Sequence, residues 1–226
     1  MQLRHEVKHY INVGDFVAIR SRLSHLLRLD EHARADGTYT IRSLYFDDPD
    51  DRVLLEKING LDHRTKFRIR FYNGDASFIR LEKKTRDGTL CTKQSTSIAR
   101  DQCERIMGGD TRFLGASEQP LFADLYAHMG TALLRPRTIV DYVREAYVFA
   151  PGDVRVTFDT SVRTGLSSTD LFEGTVPTVE TLDRRYVILE VKYKGFLPDI
   201  VGDMIQTNER RASAVSKYAL CRMFGL

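Results

Sequence analysis

No run of about 18 apolar residues occurs in the chain, so a membrane-spanning helix is not expected. The opening MQLRHEVKHY is charged where a secretory signal would need an apolar core. We therefore expect a cytoplasmic protein without direct membrane insertion, which leaves open service to a membrane assembly through a membrane-protein partner. The three cysteines, Cys91, Cys103 and Cys221, are odd in number, far apart and without a CxxC pair, so neither a zinc knuckle nor a disulfide framework is indicated. There is no GxxxxGK(S/T) or GxGxxG loop to cradle a nucleotide phosphate, no GxSxG elbow, and no HExxH among the six histidines. Strong net charge is lacking too: 34 basic and 31 acidic residues leave +3, so any attraction for anions has to come from local clustering.

What the chain does have is length and alternation. At 226 residues, 42% hydrophobic and 29% charged, it can bury a proper core and fits one β-rich domain over 1–226 more readily than two small ones. The stretch His63 to Arg86, HRTKFRIRFYNGDASFIRLEKKTR, reads as two strands around a turn at Asn73-Gly74-Asp75. Side chains alternate across a strand, so Lys66, Arg68 and Arg70 share one face and Phe67, Ile69 and Phe71 the other. In the return strand Arg80, Glu82 and Lys84 alternate with Ile79, Leu81 and Lys83. A charged strand face is ordinarily solvated, but this pattern recurs elsewhere.

Residues 3–12 read as a strand, and Gly14-Asp15 opens a helix to about Arg28. Residues 38–46 read as a strand and Arg52 to Ile58 as a short helix. The run Asp47-Asp48-Pro49-Asp50-Asp51 between them lacks calcium-loop spacing and reads as a turn and helix cap. A third strand spans Thr89 to Ser97, and helical patterns follow at 99–107 and 118–130. Strands return at Arg137 to Phe149, Asp153 to Arg163 and Tyr186 to Lys194. The chain then reads as a helix at Pro198-Asp199 and another from about Arg211 to Phe224. About eight antiparallel strands with helices around them permit a closed barrel, which removes exposed sheet edges.

The recurring charges are Arg4, Glu6 and Lys8; Arg68 and Arg70; Glu82 and Lys84; Arg144; Arg155 and Asp159; Glu190 and Lys192. A mixed wall of this kind suits phosphoryl groups, which cations clamp while carboxylates hold a divalent metal bridging the oxygens. The aromatics Phe67, Phe71, Tyr72 and Phe78 read as core, with no stacking platform for a nucleic acid.

In collinear order the blocks RHEVKHY, SLYFDD, KFRIRFYN, LEKKTRDG, VDYVREAYV, VRVTFD, ILEVKYKG and AVSKYAL cover nearly the whole chain. Together they resemble the VTC domain, the polyphosphate polymerase module of the triphosphate tunnel metalloenzyme (CYTH-like) superfamily. The resemblance implies an α+β fold, an antiparallel eight-stranded β-barrel tunnel with flanking helices. Its expected activity is transfer of the γ-phosphoryl group of ATP onto inorganic polyphosphate with Mn²⁺ or Mg²⁺. By that resemblance Arg68, Arg70, Lys84, Arg144 and Lys217 are catalytic, Lys8 contacts substrate and Glu190 binds metal; by strand pattern Lys192, Arg4, Glu82 and Arg155 join the substrate contacts. The superfamily's ExExK signature is here RxExK, with Arg4 in place of the first glutamate, which leaves Glu6 without its carboxylate partner as a second metal ligand. That shift from metal coordination toward phosphate clamping favours polymerase over triphosphatase. The absence of further domains reads as a stand-alone catalytic domain. A metal-dependent tripolyphosphatase or triphosphatase, or a polyphosphate or nucleotide sensor without turnover, are the alternatives.

Overall fold

A computed structural model describes residues 4–88, 90–207 and 215–224. The elements are β1 (His5–Asn12), α1 (Val13–Ser24), β2 (Arg28–Leu29), β3 (Thr38–Asp47), α2 (Arg52–Ile58), β4 (Arg64–Tyr72), β5 (Asp75–Asp87) and β6 (Leu90–Ser97). They continue with α3 (Arg100–Met107), α4 (Arg112–Gly115), α5 (Pro120–Thr131), β7 (Arg135–Phe149), β8 (Val154–Thr164), β9 (Val179–Glu180), β10 (Tyr186–Tyr193), α6 (Asp199–Met204) and α7 (Lys217–Met223).

Eight long strands pair antiparallel in the order β1-β10-β8-β7-β3-β4-β5-β6, with β2 added to β7 and β9 to β8. The hairpin β4–β5 turns on Asn73 and Gly74, at φ 55° and 74°. This left-handed pair matches the right-handed strand twist and sets the register Arg68↔Glu82 and Lys66↔Lys84. The sheet curls until Lys84 Nζ of β5 meets the Glu6 carboxylate of β1 at 2.7 and 2.9 Å. The expected eight-stranded tunnel is therefore built as a curled sheet. Among the described residues its edges, β1 and β6, are not joined by backbone pairing, and the side chains close the gap.

The convex face carries the apolar side chains of the alternating strands. Phe67, Ile69 and Leu81 are buried against Cys103 and Ile106 of α3, Leu114 of α4 and Leu121, Phe122 and Leu125 of α5. Val187, Leu189, Val191, Val156 and Phe158 pack under Ile19 and Leu23 of α1 and Val201 of α6. Each such burial stabilises the fold by roughly 1.5–3 kcal/mol, which fixes which strand face turns inward. Lys83, on this outer side, ends on Asp124 of α5 at 2.6 Å.

The aspartate run is a helix cap, as its composition suggests. Asp47 Oδ1 accepts from Val53 N at 2.8 Å and Oδ2 from Leu54 N at 3.2 Å, and Asp48 Oδ1 accepts from Arg52 N at 2.9 Å. These satisfy the free N–H groups at the start of α2. Two helix boundaries differ from expectation. α1 stops at Ser24 and does not reach Arg28, because Arg28 and Leu29 pair with Val148 and Tyr147 of β7; a ladder partner overrides the helical spacing of Leu26 and Leu27. The last helix begins at Lys217, and the expected start at Arg211 lies outside the described residues.

Candidate functional site

The concave face encloses a cavity of about 230 Å³. Its lining has eleven lysine and arginine side chains and only three carboxylates, Glu6, Glu82 and Glu190, so the enclosed field attracts polyanions. β4 contributes Arg68 and Arg70, β5 Glu82 and Lys84, β7 Arg144, β10 Glu190 and Lys192, β1 Glu6 and Lys8, and α7 Lys217. Ten of the twelve residues singled out from sequence thus meet in one place: nine because the period of two gives every strand one inward set, and Lys217 because α7 packs over the opening.

Cross-strand register pairs most of these charges. Lys8 stands opposite Glu190 and Glu6 opposite Lys192. Lys8 Nζ lies 2.6 Å from Glu6 and 3.4 Å from Glu190, and Lys192 pairs with the other oxygen of Glu190. With Lys84 on Glu6, two carboxylates and three lysines form one chain of contacts. Arg144 grips Asp159 with two bonds of 2.6 and 2.8 Å, and Lys217 pairs with the same carboxylate, anchoring α7 to β8. Arg68 bonds Glu82 at 2.7 Å and the Tyr45 hydroxyl at 2.9 Å.

Arg70 is the exception. It is 4% exposed, and its guanidinium donates to Ser43 Oγ at 2.8 Å and to the Tyr142 hydroxyl at 3.0 Å; it forms no ion pair with a described residue, while Glu82, bonded to Arg68, acts on its charge from further off. Its hydrogen-bond partners are neutral hydroxyls, so an anionic ligand would add a direct charge pairing that they do not supply.

The protonation states follow from burial and these neighbours. Burial raises the carboxyls of Glu6, Glu82 and Glu190, but the surrounding lysines and arginines outweigh it and hold all three well below the usual range. Burial pulls Lys192 down to about 8 against the opposing pull of Glu190, and pulls Lys66 down to about 8. For Tyr45, burial raises the hydroxyl, yet Arg68 and Arg70 bring it to about 8.

Two expected substrate contacts are placed elsewhere. Arg4 precedes β1 and turns to Asp153, at 2.8 Å from the carboxylate and 3.2 Å from the backbone carbonyl. Arg155 stands opposite Lys192 in register but does not line the cavity, because Asp30 and the Tyr39 hydroxyl hold its guanidinium. Tyr45, Tyr142, Tyr218, Lys57, Arg64 and Arg86 also line the cavity. Strand parity with Lys66 and Lys84 was the available signal for Arg64 and Arg86, whereas Lys57 comes from α2, where no period of two applies.

Among the described residues no group of three or more His, Cys, Asp or Glu side chains is arranged to hold a metal. The nearest donor set is Glu190 with Glu6, two hard carboxylates. That number suits Mg²⁺ or Mn²⁺, which take one or two carboxylates and complete their shell with phosphate oxygens and water. The residues present fit such an ion as a partner of phosphate.

The family model described as VTC domain matches residues 3–224. Among solved structures, a candidate adenylyl cyclase from Hippeastrum, described as having a dominant triphosphatase activity, is similar at TM-score 0.55 and 14% identity, covering 100% of this chain and 98% of that one. A candidate adenylate cyclase from Bacillus halodurans is similar at TM-score 0.51 and 11% identity, covering 91% and 87%. Both likenesses concern the tunnel fold alone. No curated protein matches the sequence.

Proposed function

Since the chain belongs to the VTC domain family, we propose that it transfers the γ-phosphoryl group of ATP onto the terminal phosphate of an inorganic polyphosphate chain inside this tunnel, releasing ADP. The observation that carries the reading is Arg70, a buried guanidinium without a carboxylate, amid a lining of eleven cations and three carboxylates. The excess of enclosed cations over carboxylates suits a polyanion.

A terminal phosphate oxygen of the chain attacks the γ-phosphorus, and the bond to the β,γ-bridging oxygen breaks, its electron pair leaving on ADP. No protein nucleophile is needed, so the residues act by position and charge. Arg68, Arg70, Lys84, Arg144 and Lys217 neutralise the transferring group, with Lys8 and Lys192 on flanking phosphates. Glu82 positions Arg68, and Asp159 positions Arg144 and Lys217. Triphosphate tunnel enzymes generally depend on a divalent metal; Glu190, with Glu6 beside it, is where this chain would hold Mn²⁺ or Mg²⁺. Such an ion supplies charge neutralisation between phosphate oxygens. The lysines already neutralising both glutamates support phosphate clamping over two-metal hydrolysis.

The test is incubation of the purified protein with ATP and Mn²⁺ or Mg²⁺, with and without a polyphosphate primer, scoring chain length on gels against orthophosphate release. Long chains with stoichiometric ADP are expected. Orthophosphate without chain growth supports a triphosphatase, and binding without turnover that Glu190→Gln leaves unchanged supports a sensor.

A further inference from the structure

The three cysteines differ in placement. Cys103 and Cys221 belong to the hydrophobic core, and burial pushes both thiols up to about 12. Cys91 of β6 is half-buried and lines the cavity. A thiol placed in that way can meet reagents from solution, and a core thiol cannot.

The register sets what surrounds Cys91. It stands directly opposite Arg86 of β5, and Arg86 stands directly opposite Arg64 of β4. One row of inward side chains therefore carries a thiol and two guanidinium groups, across two strand spacings or roughly 10 Å. The row lies one step from Asp87 and Leu90, the last pair of the β5–β6 ladder, where Leu90 is 51% exposed. Arg86 is exposed as well and donates to the Gly88 carbonyl at 2.8 Å.

Arg64 is an independent sign that an anion belongs in this row. It is 8% exposed and lines the same cavity, yet it has no hydrogen bond or ion pair to a described residue. It also faces Arg86, and like charges opposed across a ladder destabilise a sheet. Burial and then Arg86 lower the Arg64 guanidinium, while Asp62, a negative charge on Cys91 and Glu56 act the other way.

We propose that Cys91 is a regulatory modification site, which forms a mixed disulfide with a small carboxylate-bearing thiol of the glutathione class, held across the end of the tunnel by Arg64 and Arg86. The Cys91 thiolate attacks one sulfur of the small disulfide, and the new Sγ–S bond forms as the S–S bond breaks. The leaving sulfur departs with the electron pair and takes up the proton that Cys91 gave up, so Cys91 is oxidised and the departing half reduced. Excess free thiol reverses the exchange. Guanidinium groups match carboxylates with paired N–H donors, and they concentrate an anionic disulfide over a neutral or cationic one. That the adduct shuts out phosphate rests on the polyphosphate reading above; the capture does not.

Wild type, Cys91→Ser, Arg64→Gln/Arg86→Gln and Arg64→Lys/Arg86→Lys are treated with glutathione disulfide, neutral hydroxyethyl disulfide or cationic cystamine across a salt series. Rates are taken relative to those of a free cysteine peptide, adducts are located by peptide mass, and tripolyphosphate affinity is measured by calorimetry before treatment, after it and after reduction. At low salt, glutathione disulfide should modify Cys91 about tenfold faster than the neutral reagent. The preference should fall to within about twofold in the glutamine pair and persist in the lysine pair, and Cys91→Ser should take up nothing. The adduct should weaken tripolyphosphate binding about tenfold or more, and reduction should restore it. No preference for the anionic reagent, a preference that survives in the glutamine pair, adducts on Cys103 or Cys221 instead, or an adduct that leaves affinity unchanged each overturns the proposal. Selective capture by a wild type that binds no tripolyphosphate removes the polyphosphate reading and leaves the modification site; tripolyphosphate binding without selective capture does the reverse.

Discussion

Replacing Arg70 by alanine separates function from stability in a direction the structure dictates. In the native protein its guanidinium hydrogen-bonds only Ser43 Oγ and the Tyr142 hydroxyl, so the substitution removes a buried charge that has no ion pair of its own, while Glu82 keeps Arg68 and Lys93. Two hydroxyls lose a donor, at about 1–3 kcal/mol each if they stayed dry, but both face a space opened to water and the relieved desolvation of the cation acts against this loss. The net stability change is therefore within about 1 kcal/mol, or roughly 2–4 °C in Tm for a domain of this size. Removing one preorganised donor to a developing phosphoryl charge costs about 3–4 kcal/mol of transition-state stabilisation, hence about 10²- to 10³-fold in kcat. The control is Lys83→Ala on the outer face, which breaks the pair with Asp124 and lifts an ammonium from the Phe67 ring. It should lower Tm slightly and leave the rate nearly untouched. Polymer formation from ATP and a thermal melt on each variant provide the comparison. If both substitutions cost the same activity, or if Arg70→Ala loses activity only in proportion to lost fold, the assignment of inner and outer faces is wrong.

Glu190→Gln leaves Lys8 and Lys192 without their shared carboxylate, so we expect a stability loss of about 3 kcal/mol with turnover abolished at any metal concentration; full activity at raised Mn²⁺ would show that Glu190 is not the metal's holder. Lys66 and Lys192 both sit near 8, so they are charged below that pH and neutral above it, and tripolyphosphate affinity by calorimetry should fall between pH 7 and 9. Tyr45 ionises in the same range with the same sign, so Tyr45→Phe should retain the part of the fall due to the lysines, and a flat profile in that variant would contradict their burial. Asp47→Ala removes two caps of α2 and the partner of the Tyr218 hydroxyl. It should cost about 3 kcal/mol, or roughly 6–12 °C by calorimetry, and an unchanged melt would mean that α7 is held by other contacts.

The inward set of each strand was legible in the sequence because it follows from parity alone: Phe67, Ile69 and Leu81 are too apolar to leave a core, so Arg68, Arg70, Glu82 and Lys84 had to point the other way. The cap reading of Asp47 to Asp51 was legible for a similar reason, since backbone N–H groups at a helix start need acceptors wherever the helix lies. Arg4 and Arg155 lie outside the cavity lining because parity fixes a face and not a partner. Each finds a carboxylate, Asp153 and Asp30, that is distant in sequence: the first is visible only once β1 and β10 lie beside β8, the second only once β2 and β7 do. The lining tyrosines, Tyr45, Tyr142 and Tyr218, carry hydroxyls that become site groups through burial beside guanidinium, which composition does not reveal. Likewise, the end of α1 was set by a pairing of Arg28 with Val148 of β7, a contact across more than half the chain.

Glu6 and Lys217 share one cavity although nearly the whole chain lies between them, and β1 (residues 5–12) finds its ladder only on residues 186–193. Within this domain β1 is therefore made long before its ladder partner. A nascent chain has the basic hairpin β4–β5 long before it has the carboxylate of Glu190 or the helix that brings Lys217. Long-range pairing of this kind slows folding and leaves strand edges open meanwhile. Before closure, the cations of β4 and β5 face solvent without Glu190, and a cellular polyanion can reach them. The charged inner wall is thus completed only when the end of the sheet arrives.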